Sequence, residues 1–115
     1  MQLDQFLNTL NTAPASIEFT DTMAVIEANY QHQPTAFNNG SASNTAEQNQ
    51  GSCKLLAFAQ LQGFDQQQTL ACFGRSYRDD VLGNPDGSDH QNIRQFMQNG
   101  WAGVSFAGTT LTAKR

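Results

Sequence analysis

The segment from Cys53 to Gln62 constrains the fold more than any other. Wound as a helix, it spreads Leu55, Leu56, Ala57, Phe58, Ala59 and Leu61 around nearly the whole circumference. A helix that is apolar on every side has no face to give to water, so it is expected at the centre of the core. Ser52 reads as its N-cap and Gly63 as its terminator.

The rest of the chain reads as elements wrapped around that helix. Leu3, Phe6, Leu7 and Leu10 follow i, i+3, i+4, i+7 spacing and predict an amphipathic helix over residues 2–11. A second helix is expected from Thr20 as N-cap, with Met23, Ile26 and Tyr30 as its buried stripe. Asp65 caps a further helix through Leu70 and Phe73; Tyr77, Val81 and Leu82 suggest a short one ending at Gly83. After the turn residues Asn84-Pro85-Asp86-Gly87, Ser88 or Asp89 caps a helix buried through Ile93, Phe96 and Met97 and stopped by Gly100. Strand signals are few. Thr35-Ala36-Phe37 precedes an Asn39-Gly40 turn, and Val104-Ser105-Phe106 with Thr109-Thr110-Leu111 alternates as a hairpin that could pair with residues 35–37. Ser41 to Gln50 is polar, aperiodic and read as a long loop, which in a compact domain suggests a functional segment. The expected class is α+β, predominantly helical, with about five to six helices and a small C-terminal β-hairpin or sheet.

With 115 residues there is room for one core, so residues 1–115 are read as a single domain. Eight phenylalanines supply much of its volume. Charged residues make up only 14%, the net charge is −4 and the pI about 4.8. The six cationic side chains are scattered, so no basic field exists to recruit nucleic acid or an anionic membrane. No apolar run reaches the roughly 18–20 residues that a membrane-spanning helix requires, and the first residues lack the basic-then-apolar pattern of a secretory signal. Cys53 and Cys72 are accordingly expected as reduced thiols. No cofactor is expected, and the chain reads as a monomer.

Several segments resemble the HopJ type III effector family. They are Pro34-Thr35-Ala36-Phe37-x-Asn39-Gly40, Gln48-Asn49-x-Gly51-Ser52-Cys53-Lys54, Phe58-Ala59-Gln60-Leu61, Thr69-Leu70, Phe73-Gly74 and Tyr77-Arg78-x-Asp80-Val81-Leu82. Pro85-x-Gly87-x-Asp89-His90-x-Asn92-Ile93-Arg94 and Gly100-Trp101-x-Gly103-Val104-x-Phe106 complete them. The resemblance implies a bacterial protein related to one injected into plant cells, and brings no catalytic residues with it. Injected effectors usually begin with a flexible Ser-rich leader, whereas here an apolar stripe starts at Leu3. A resident cytoplasmic protein is therefore expected, with type III secretion into a host cell as the alternative.

The sharpest chemical signal is Gly51-Ser52-Cys53 at a helix start, where backbone N–H groups and the helix dipole favour a thiolate. Cys53 as nucleophile with His90 as base, and Asn49 or Asn92 orienting, would make a small hydrolase or transferase. The competing reading makes Cys53 a small buried hydrophobe and Asp89-His90 a helix start capped by Asp89. Asn84, Asp86 and Ser88 alternate like calcium ligands, but the glycine is misplaced and the closing glutamate is missing. The cysteines and histidines lack zinc spacing, so no metal site is expected. The leading expectation is a binding or interaction module with a polar site near residues 38–53. Asn39, Asn49, Ser52, Asp89, Arg94 and Trp101 are its candidate contacts, and an unknown protein or a small polar ligand is the partner.

Overall fold

A computed structural model describes residues 2–114. Five α-helices form the main body of the fold: α1 (Leu3–Thr12), α2 (Phe19–Asn29), α3 (Gln50–Gln62), α4 (Gln66–Ala71) and α5 (Gln91–Asn99). A π-helix at Ser76–Val81 and 3-10 turns at Pro14–Ser16 and Gly100–Gly103 link them. The strands are β1 (Tyr30–His32), β2 (Phe37–Asn39), β3 (Ala42–Asn44), β4 (Val104–Phe106) and β5 (Leu111–Ala113). They form two small antiparallel sheets, β1–β5 and β3–β2–β4. The architecture is the expected helix-dominated α+β domain.

Helix α3 is the centre. Cys53, Leu55, Leu56, Ala57, Phe58 and Ala59 are all buried along it, while Leu61 escapes to the surface. The Phe58 ring meets Phe6 of α1, Tyr30 of β1 and Phe64 edge-on, at centroid distances of 5.8, 6.0 and 5.8 Å. One ring thus ties three separate segments to the central helix, in the edge-to-face arrangement that aromatic quadrupoles favour.

Several boundaries differ from the sequence reading. Helix α2 starts at Phe19, because Glu18, two residues before Thr20, is the N-cap and forms a reciprocal capping box with Asp21. Its buried positions are Thr22, Val25 and Ile26; Met23 is only partly buried and Tyr30 opens β1. Glu18 also accepts from Arg75 and Arg78, which hold its carboxyl below the usual carboxylate range. Asp65 caps α4 as expected, with Gln68 closing the box. The two C-terminal strands exist but do not pair with each other. Instead β4 pairs with β2, Phe37 opposite Phe106, and β5 pairs with β1, Tyr30 opposite Ala113. Alternation marks a strand without naming its partner, which here is set by burial against α3 and α5.

The segment read as a long loop is largely folded. Asn39-Gly40 makes the expected turn, but Ala42–Asn44 returns as β3 along β2. Gly40 has φ 59, its N–H donates to the Gly103 carbonyl at 2.9 Å, and a Cβ there would collide with Gln95 and Asn99. The turn is thereby pressed onto the end of α5, and the three-stranded sheet becomes a lid over that helix.

Phe58→Ala should cost about 3–5 kcal/mol, the range for deleting a fully buried aromatic ring. Urea unfolding would measure the loss as a lower midpoint.

Candidate functional site

Two helices begin in an unusual way at the same place. Asn49 precedes α3 with φ 52, and His90 precedes α5 with φ 50; they are the non-glycine residues of positive φ among the described residues. Both replace the expected caps. Ser52 lies inside the first turn of α3, and neither Ser88 nor Asp89 is the N-cap of α5. Asn and His tolerate the left-handed region better than most residues, yet each such position still costs energy that the surrounding contacts must offset. Neither helix has a side-chain cap, so first-turn N–H groups remain as donors for something else.

Both residues face one cavity of about 370 Å³. Its polar wall carries Asn44, Asn49, Ser52, Ser76, His90 and Asn92, and its apolar wall Phe19, Ala42, Phe73 and Ile93. Gly51 keeps that space open: a Cβ there would come within 3.1 Å of the Phe19 ring.

Behind the polar wall lies a chain of carboxamides. Asn44 and Asn92 donate to each other's Oδ1, both at 3.2 Å. Asn39 donates to the Asn92 carbonyl at 2.7 Å and to Asn92 Oδ1 at 3.2 Å. Asn49 donates to Asn44 Oδ1 at 2.7 Å. Asn39, Asn44 and Asn92 are buried, and Asn39 Oδ1 has no partner among the described residues. The amides join β2, β3, the start of α3 and the start of α5 at one point. Asn49 and Ser52, both at the start of α3, line the cavity there.

The expected contacts fall into three groups. Asn49, Ser52 and His90 line the cavity, and Asn39 backs it through Asn92. Asp89 and Arg94 stand beside it, joined by an ion pair of 2.5 Å that lowers the Asp89 carboxyl below its usual range. Trp101 serves packing: its Nε1 donates to the Phe64 carbonyl at 2.9 Å and its ring meets Phe96 edge-on at 5.0 Å. Phe19, Phe73 and Ser76 escaped the sequence reading, because nothing local marks residues that converge only through tertiary packing.

The structure does not bring Cys53 and His90 together. Cys53 is fully buried on another face of α3, with its Sγ 3.6 Å from the Thr35 carbonyl and 3.8 Å from Thr110 Oγ1. Burial pushes its thiol up, and pushes Cys72 up to about 12. The His90 Nε2 instead lies 3.1 Å from Asp80 Oδ2 and 3.9 Å from Asp89 Oδ2.

Comparison with known proteins places the whole chain. The family model for HopJ type III effector protein matches residues 3–111. The chain belongs to the HopJ type III effector family. The crystal structure of a protein of unknown function, VPA0580, is similar at 55% identity and a TM-score of 0.96, covering 99% of this chain and 95% of that one. No curated protein matches. Among the described residues of this HopJ member, no helix is long and apolar enough to cross a membrane.

Both thiols of this HopJ domain should resist iodoacetamide at neutral pH and react only once urea unfolds the chain. The raised pKa values also fix an alkaline trend. The native state keeps thiol protons that the unfolded state releases above about pH 8.5, so stability falls as pH rises through that range. Urea midpoints measured from neutral to alkaline pH would show the decline.

Proposed function

We propose that this HopJ protein is a small binding module that takes a polar ligand in the cavity between the starts of α3 and α5. One observation carries the reading. The two left-handed non-glycine residues, Asn49 and His90, open two helices that lack side-chain caps and line the same cavity. Strained positions concentrate where a site needs them. The unclaimed first-turn N–H groups offer donors, and Asn49 Oδ1 with the Ser52 hydroxyl offers acceptors, so a ligand carrying both kinds of group is matched.

The apolar wall supports the same reading. Pockets for small molecules combine apolar surface with a few placed polar groups, and about 370 Å³ lies within their usual volume range. Phe19, Phe73 and Ile93 supply the surface that would desolvate the ligand and strengthen each hydrogen bond. Among the described residues no lysine or arginine lines the cavity, so recognition rests on neutral hydrogen bonding. The protein acts as a monomer in this scheme; its exposed large apolar side chains are Leu61 on α3 and Leu82 in the turn after the π-helix.

A fragment screen read by backbone amide NMR tests the proposal. Bound compounds should move the amides of Asn49, Ser52, Gln91 and Asn92 together, and Ser52→Leu should abolish those shifts while leaving the melting temperature within a few degrees. Hits that gather elsewhere on the surface, or a screen that never moves these amides, would overturn the reading.

A further inference from the structure

His90 stands in the cavity wall in the left-handed conformation, which costs energy even for a residue type that tolerates it, and its imidazole alone does not explain why. Its partners there, Asp80 and Asp89, have side chains more than half exposed, and contacts of that kind are individually weak. The firmer hold comes from Arg94, one turn into α5, which is only 8% exposed.

The Arg94 guanidinium spreads its donors over the loop that leads to His90. Nε donates to the Asp89 carbonyl at 2.6 Å, one terminal nitrogen to Asp89 Oδ1 at 2.5 Å, and the other to the Pro85 carbonyl at 3.2 Å. The backbone N–H of Arg94 meanwhile donates to the His90 carbonyl at 3.1 Å. The residue therefore grips the chain immediately before His90 with its side chain and His90 itself with its backbone. Gly87 makes room for the grip, since a Cβ there would lie 2.8 Å from the guanidinium. Arg94 itself is absent from the cavity wall.

We propose that Arg94 is the positioning residue of the site: by clamping Pro85 and Asp89 it fixes His90 in the left-handed conformation that places its imidazole in the cavity wall. The proposal rests on reading that cavity as the binding site. The planar fork is essential to it. An ammonium carries the same charge but cannot reach two carbonyls and a carboxylate in one plane. Lysine at this position should therefore keep the charge and lose the clamp.

Imidazole NMR spectra of the ligand-free protein test this directly, because the chain has two histidines and the other is a built-in reference. His32 lies on the β1–β5 sheet, its Nε2 3.2 Å from Gln50 Oε1. In Arg94→Lys the His90 ring signals should shift to those of an unrestrained histidine while the His32 signals stay in place. In Arg94→Ala the same shift should appear, and added guanidinium at sub-denaturing concentration should reverse it. Unchanged His90 signals in Arg94→Lys would overturn the proposal. So would His32 signals moving in step with those of His90, since the loss would then be global. Because no ligand is used, failure here leaves the binding-site reading standing, and an empty fragment screen leaves the clamp standing.

Discussion

Three buried carboxamides set the terms for everything around the cavity. Asn44 and Asn92 exchange hydrogen bonds at 3.2 Å in each direction, and Asn39 reaches the same oxygen from β2. An amide stranded in the interior costs about 1–3 kcal/mol per unsatisfied group, so once one of these side chains is buried the others must be present and correctly aimed. This condition binds a hairpin to a helix nearly fifty residues further along the chain. It also confines the start of α5 to a single approach. The left-handed residues follow as a consequence, for each helix has to enter sharply to bring Asn49 or Asn92 to the shared point.

A second layer of contacts makes that entry possible. Glycines at 40, 51 and 87 each leave room for a close neighbour: Gln95 and Asn99, the Phe19 ring, and the Arg94 guanidinium respectively. Arginines hold the two loops that a helix-only core would leave free. Arg78 and Arg75 fasten Glu18 at the start of α2, and Arg94 fastens Asp89 before α5. The apolar core on α3 supplies the bulk of stability, while these polar clasps decide where the helix ends point. The polar wall of the cavity and the apolar core are thus built largely from different residues, and Ser52 and His90 can be altered with little disturbance to Phe58 and its neighbours.

The parts that were legible in sequence are those governed by local chemistry. Helix α3 showed itself through its apolar circumference, α1 through the Leu3-Phe6-Leu7-Leu10 stripe, and α4 through its Asp65 cap. The strand partners stayed hidden, because Val104–Phe106 and Leu111–Ala113 alternate in the same way whatever lies beside them. Residues 41–50 looked structureless because β3 is only three residues long and its inward position is an asparagine, so it has no apolar signature. Of the site, Asn49, Ser52 and His90 could be named from turn and helix-start chemistry. Phe19 and Phe73 could not, since their role is created by the packing of α2 against the rest. Cys53 misled for a related reason: a helix start favours a thiolate only where the side chain meets water, and the rotation of α3 turns this one into the core.

The most direct test of this account is a double-mutant cycle on Asn44→Ala and Asn92→Ala, read by urea unfolding. The reciprocal amide pair predicts a coupling energy within the ~0.5–3 kcal/mol seen for residues in one network, with the double variant less destabilised than the sum of the single ones. Single losses that simply add, to within about 0.5 kcal/mol, would contradict it. They would mean that the two asparagines are independent surface-type residues and that the cavity is held open by something else.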